Sequence, residues 1–362
     1  MRAGRRLRSG CGGRPGGGGP RPCAHPLIQR TVDLGPADLA AYSAILDVRS
    51  PSEFALDHLP GAINLPVLDD AERAEVGTEY VQGSKFLARR RGAALVARNI
   101  ARHLEGPLSA FDGSFRPLIY CWRGGQRSGA MATILDQVGW GVTVVYGGYQ
   151  TWRRQVVRAL YETSLRCRLT LIDGPTGAGK TELLARLSAD GVQTLDLEFL
   201  AGHRGSLFGA FGPQPSQKLF ETRLYAALAD VDPARPVVVE AESSRIGAVT
   251  LPPSLWTAMQ AAPSFLLDPP PERRVARILT DYADLAADAG RLDAILSRLA
   301  RHLSKATVSR WRDLAAAGDL ETLVGELIDQ HYDPAYRRAV RPTTAAVEAD
   351  VLTRIRSLSA GL

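Results

Sequence analysis

The stretch that most constrains this chain lies near its middle. Gly174-Pro175-Thr176-Gly177-Ala178-Gly179-Lys180-Thr181 fits G-x-x-x-x-G-K-[ST] at every position, behind an apolar run at 169–173 and ahead of helical text at 182–189. Strand, glycine turn and helix in that order commit the region to a parallel α/β sheet. The glycines let the backbone wrap an oxyanion, while the helix N-terminus and the lysine neutralise it. Gly174, Gly177, Gly179, Lys180 and Thr181 are therefore expected to bind phosphate, with the Thr181 hydroxyl suited to a magnesium ion where one is present. Such a loop recognises a diphosphate before it recognises a nucleoside, so ATP remains one of its candidate ligands. A second apolar run at 236–240 ends in Glu240, and strand alternation puts Glu242 on the same face. Glu240, with His203 and Arg204 from an intervening loop, is a candidate partner of the phosphate loop.

A different chemistry is written upstream. Tyr120-Cys121-Trp122-Arg123-Gly124-Gly125-Gln126-Arg127-Ser128 sets a cysteine at the end of an apolar run, before a glycine-containing loop and a helix. Backbone N–H groups of such a loop can turn toward the sulfur, and the helix N-terminus adds positive potential. Arg123 and Arg127 are expected to add full charges beside it. All three effects favour thiolate, the attacking form, and suit an anionic persulfide or perselenide carried on it. A buried cysteine acting as a small hydrophobe is the other reading of the same text. Asp47 and Arg49 read as a structural pair, and Cys167 as inert.

Alternating strand-like and helix-like stretches begin at residue 27 and start again near 169, with the seam expected at 161–168. After about residue 270 the strand signals stop and amphipathic helical patterns continue to the end. The chain's 362 residues, 45% apolar and 23% charged, are ordinary for a folded protein of two or three domains. Its formal charge of +6 sits wholly in residues 1–26, which hold six arginines and no acid; the other 38 basic and 38 acidic side chains balance. Those 26 residues read as a disordered Arg/Gly/Pro-rich extension. Any case for a nucleic-acid partner must then rest on local clusters. Residues 85–102 carry Lys85, Arg89, Arg90, Arg91, Arg98 and Arg102 without an acid. Residues 298–312 carry Arg298, Arg301, Lys305, Arg310 and Arg312, again without an acid and with Trp311 among them. Phosphates favour such clusters and unstacked bases favour aromatic platforms. A solvated helix face explains either run equally well. No stretch reaches the roughly 18 apolar residues of a membrane span. Outside the extension only Cys121 and Cys167 occur, so a reducing cytoplasm is expected.

Three further segments place the first half in a family. Leu46-Asp47-Val48-Arg49-Ser50-Pro51-Ser52-Glu53-Phe54, His58-Leu59-Pro60-Gly61-Ala62-Ile63-Asn64-Leu65-Pro66 and Gly147-Gly148-Tyr149-Gln150-Thr151-Trp152 flank the cysteine loop, and together they resemble the rhodanese sulfurtransferases. In that family the loop cysteine carries the chalcogen, which implies Cys121 as nucleophile here, with Trp122, Arg123, Gly124, Gly125, Arg127 and Ser128 forming its loop. The order rhodanese then phosphate loop, with Leu195-Asp196-Leu197-Glu198, His203-Arg204-Gly205-Ser206, Gln214-Pro215-Ser216-Gln217 and Glu240-Ala241-Glu242-Ser243-Ser244-Arg245 between and after, is similar to the tRNA 2-selenouridine synthases over about 27–285.

That resemblance implies the fold: an N-terminal rhodanese-like α/β domain (27–160), a P-loop NTPase-like parallel α/β domain (161–285) and a helical C-terminal region (286–362). It also implies a two-step reaction on the wobble 2-thiouridine of tRNA. S-geranylation from geranyl diphosphate comes first, and selenation from selenophosphate through cysteine-bound selenium follows. Both compounds are co-substrates, no tightly bound cofactor or metal is expected, and the partner is the anticodon region of tRNA. Arg89, Arg90, Arg91, Arg301, Lys305 and Trp311 are the candidate tRNA contacts. The competing reading is a persulfide sulfurtransferase fused to a P-loop small-molecule kinase.

Overall fold

The structure, a computed structural model, describes residues 28–206, 208–209, 212–299, 303–337, 344–345, 351–353 and 355. The expected extension at 1–26 and the candidate contact Arg301 lie outside them. The first sheet comprises β1 (Gln29–Thr31), β2 (Ala44–Asp47), β3 (Ala62–Asn64), β4 (Pro117–Tyr120) and β5 (Thr143–Val145), all parallel, in the order β1-β5-β4-β2-β3. Every residue of β4 is buried, as a central parallel strand covered on both faces requires.

The connecting helices are α1 (Pro36–Ala40), α2 (Pro51–Leu56), α3 (Asp70–Gln82), α4 (Lys85–Glu105), α5 (Gln126–Val138) and α6 (Tyr149–Val157). Their starts are written locally. Ser50 with Glu53, and Asp69 with Glu72, form capping boxes, with Pro51 at the first position of α2. Gly83 and Ser84 end α3 and cap α4, folding the two into a hairpin. Buried Asp47 and Arg49 pair as expected, and Arg49 also donates to the Asp57 carbonyl.

The second sheet begins with β6 (Leu169–Asp173), followed by α7 (Lys180–Ala189), β7 (Thr194–Leu195), α8 (Leu197–Ala201), α9 (Gln217–Ala229) and β8 (Val237–Glu240). A short antiparallel pair, β9 (Arg245–Ile246) and β10 (Val249–Thr250), leads to α10 (Pro253–Ala261) and β11 (Ser264–Leu266). Helices α11 (Pro271–Asp281), α12 (Ala283–Ala286), α13 (Ala289–Arg298), α14 (Lys305–Ala317), α15 (Leu320–Leu327) and α16 (Asp333–Arg337) come next. The reading that strands stop near residue 270 is corrected by β12 (Thr344–Ala345), which pairs parallel with β11 and completes the order β12-β11-β6-β8-β7. Val351, Leu352 and Ile355 pack with Ile172 and Leu183 in the core of this sheet, so these three residues belong to it.

The halves share one apolar cluster. Tyr120, Trp152, Val156 and Leu160 from the first join Leu171, Phe220, Leu224 and Leu255 from the second. Polar ties frame that contact: Trp152 Nε1 donates to Thr222 Oγ1 (3.1 Å), Tyr161 donates to Glu221 (2.6 Å), and Arg153 pairs with the same buried carboxylate. In each half the motif-bearing loop leaves the C-terminal end of the central strand, β4 or β6, where open α/β sheets form their binding crevices.

Candidate active sites

Cys121 follows β4, its side chain buried at the N-terminus of α5. Its sulfur accepts from the Gly125 N–H (3.3 Å) and from the Ser128 hydroxyl (3.2 Å). Burial alone would push the thiol up. The Ser128 hydroxyl and the N–H groups of Ser128, Arg123 and Gly125 outweigh it and bring the thiol below its ordinary value. The loop is held from behind by the β5–α6 turn, since the Tyr149 N–H donates to the Cys121 carbonyl (2.8 Å). Gly148 sits at φ +61°, and a Cβ there would come within 2.3 Å of that carbonyl oxygen, so only glycine permits the approach. The expected arginine contribution is corrected: Arg127 is taken up by Glu53 (2.8 Å), which Arg73 also grips, and Arg123 is exposed. Neutral donors, not arginine charge, lower the thiol. Trp122 is half-buried with its ring 5.2 Å from that of Tyr149.

In the second half, Lys180 Nζ donates to the Gly174 carbonyl (2.8 Å), and α7 starts at the loop. Three carboxylates converge opposite Thr181. Oxygens of Glu198, Glu240 and Glu242 lie within 4.8 Å of one another, and the Thr181 hydroxyl reaches Glu198 at 3.4 Å. Glu240 is fully buried and neither of its oxygens has a hydrogen-bond partner. Burial first, and then its acidic neighbours, raise the Glu198 and Glu240 carboxyls well above the ordinary range, with Lys180 pulling the other way. A divalent cation fits here on the chemistry of the donors: hard oxygens beside the loop threonine, one of them buried and unsatisfied. Gly205 closes the far side of the cluster, so close that a Cβ there would lie 2.5 Å from Glu198.

Helix α11 lies across the loop. The Arg274 Nε donates to the Thr176 carbonyl (2.9 Å), and the Arg277 guanidinium stands against Gly179 while pairing with Glu182 (2.5 Å). Ile278 touches Gly177 and also lines an apolar recess with Leu279, Tyr282, Leu292, Val324 and Leu327. The cavity volume of the recess is about 50 Å³ and it opens to solvent, below the roughly 300–1,000 Å³ of small-molecule pockets, so it offers an apolar wall and not an enclosed chamber. Tyr282 closes one side, its hydroxyl 2.7 Å from that of Ser206.

The other predicted residues fall as follows. His203 is buried against Gly247, and burial lowers its pKa. Arg204 pairs with Asp284 (3.1 Å) and lies over the Tyr282 ring. Trp311 as a base platform is corrected: it is fully buried, and its Nε1 donates to Glu326 (3.0 Å). Arg310 and Arg312 are paired with Glu326 and Asp293, acids supplied by neighbouring helices, while Lys305 is exposed. Arg89 and Arg90 are exposed on α4, and Arg91 pairs with Glu75. Sequence reasoning gave no role to Glu198, Arg274, Arg277 or Tyr282. Glu198 stands within a quoted motif, but its partners come from other strands. The α11 arginines lie about 100 residues downstream of the loop they cover.

A cysteine-bearing α/β domain joined through a common core to a phosphate-loop domain defines a two-domain α/β protein with two candidate sites. Models described as "Rhodanese-like domain" and "tRNA 2-selenouridine synthase AAA domain" match residues 34–155 and 167–351. The chain is 37% identical over 262 residues to a tRNA 2-selenouridine synthase of Nitrosomonas europaea, covering 70% of this chain and 68% of that one. It is 34% identical over 356 residues to that of Bordetella petrii (86% and 92%), and 35% over 354 to that of Verminephrobacter eiseniae (88% and 95%). The chain belongs to the tRNA 2-selenouridine synthase family and is an enzyme of that type. No helix among the described residues is long and apolar enough to cross a membrane.

Proposed function

We propose that the chain converts the wobble 2-thiouridine of tRNA to 2-selenouridine in two steps, one at each loop. In the first, the thiocarbonyl sulfur displaces diphosphate from C1 of geranyl diphosphate. In the second, the Cys121 thiolate displaces geranyl thiolate from C2 of the base, the selenium of selenophosphate then displaces Cys121 from C2, and water cleaves the Se–P bond to release phosphate. The observation that carries the first step is the apolar recess adjoining the phosphate loop at Ile278. A diphosphate on Gly174–Thr181 and Arg277 leaves its hydrocarbon chain next to an apolar wall, whereas a nucleoside would bring polar base and ribose edges to it. Glu198, Glu240 and Thr181 would hold a magnesium ion, which when bound offsets diphosphate charge. Cys121 meets the needs of the second step, because the donors around its sulfur favour the thiolate, which serves both as nucleophile and as leaving group. The cytoplasm, where thiols stay reduced, is the matching compartment.

Mass spectrometry of nucleosides tests this with 2-thiouridine-containing tRNA, geranyl diphosphate and selenophosphate. Wild type is expected to give 2-selenouridine, Cys121→Ser to stop at the geranylated nucleoside, and Lys180→Ala to leave 2-thiouridine. Consumption of ATP with no change in nucleoside mass would overturn the reading in favour of a sulfurtransferase fused to a kinase.

A further inference from the structure

We infer that the turn joining α3 and α4 is a stacking platform for unpaired bases of the RNA substrate. The inference rests on the tRNA reading above and names a surface for it. The aromatic expected to serve this purpose, Trp311, is buried; the exposed ones are elsewhere. At the tip of the hairpin Phe86 is 70% exposed, Tyr80 39% and Val81 81%. The hairpin is held together lower down, where Val76 packs on Gly92 and where Ala88 and Val96 are buried, so these tip side chains contribute nothing to its core.

The tip is also cationic. Lys85 Nζ and the Arg89 guanidinium each lie 5.8 Å from the Tyr80 ring centre, Arg90 is exposed beside them, and residues 80–91 include no acid. An apolar protein surface docking here would leave those cations without counter-charge. An RNA loop supplies both what the rings take, the faces of bases, and what the cations take, phosphates.

Position supports the same partner. The first turn of α3 is tied to the cysteine-loop side of the molecule. Asp70 accepts from the Ser52 N–H and hydroxyl, and Arg73 grips the Glu53 that holds Arg127. From Arg73 to Gln82 the helix rises roughly 14 Å, the rise of about four stacked nucleotides. A base presented at Cys121 therefore has neighbours within reach of the tip.

Fluorescence anisotropy with the intact protein and 2-thiouridine-containing tRNA, titrated at several salt concentrations, tests the platform. Tyr80→Ala with Phe86→Ala is expected to weaken binding about 10–100-fold with the salt slope unchanged. Lys85→Gln with Arg89→Gln is expected to lower the slope by about 1.4, as two lost contacts to single-stranded phosphates should. Phe86→Trp should restore affinity and Phe86→Leu should not, because leucine keeps apolar area but has no ring face. Aromatic variants that bind like wild type overturn the platform. So does an affinity kept by Phe86→Leu, or a wild-type oligomer that the variants dissociate, which would make the tip a contact between copies. Wild-type protein that fails to bind tRNA at all removes the proposed function together with the platform.

Discussion

The cysteine loop and the phosphate loop occupy equivalent places, each at the C-terminal end of a central parallel strand and ahead of a helix, yet they treat negative charge in opposite ways. Around Cys121 a single sulfur is met by the Ser128 hydroxyl and backbone N–H groups, and Arg127 is already matched by Glu53. Around Gly174–Thr181 the anion-binding donors face three carboxylates, one fully buried without a partner. A site for one negative charge can be completed by neutral donors. A site for a diphosphate needs cations, and the acids opposite Thr181 are in place to hold one.

The largest effect that would break this contrast is at Arg277. If the guanidinium against Gly179 is part of the diphosphate site, Arg277→Ala should weaken binding of inorganic diphosphate by roughly 10–100-fold, the loss of one charged hydrogen-bonding partner. Calorimetry reads this directly, and unchanged affinity would return Arg277 to a structural pairing with Glu182.

Next is Glu240. Its folded carboxyl is raised, so the native state holds a proton that the unfolded chain, at an ordinary value near 4.5, has given up. Stability without divalent cations should therefore fall as pH rises above about 4.5 until the folded group has also ionised. Glu240→Gln should flatten that fall and raise stability at pH 8 by on the order of 3 kcal/mol, seen as a higher melting temperature. Magnesium should do the same for wild type and nothing for the variant. A melting curve of wild type independent of both pH and magnesium would sink the idea of a cation site.

The smallest effect separates donors from charges at the sulfur. Ser128→Ala should raise the midpoint of Cys121 alkylation, whereas Arg127→Gln should barely move it. The reverse ranking would restore the arginines to the role the sequence suggested for them.

The central strands of both sheets were legible because they are short, mostly apolar runs ending at motif residues, as in 117–121 and 169–174, whereas the edge strand β1, Gln29-Arg30-Thr31, has no such run. β12 was not, since Thr344-Ala345 has no apolar run to announce a strand and gains its place only by pairing with β11. Cys121 and Lys180 could be named because their chemistry is set by adjacent residues. The acid cluster could not, because Glu198 and Glu240 come from different elements. The misplaced Trp311 is instructive: helical spacing groups it with Val308, Leu314 and Ala315, all part of the same apolar cluster, and that spacing alone marks the indole as inward-facing. Its basic neighbours Arg310 and Arg312 drew attention to the opposite face.

The apolar cluster that runs from Tyr120 and Trp152 into Phe220 and Leu255 packs the two halves directly against each other. On the proposed reaction, the nucleotide must then commute: the base visits one station for its alkyl group and another for its selenium, while the stations stay still. An enzyme of that kind gains from a handhold that belongs to neither, so that the geranylated intermediate is passed on before the tRNA lets go.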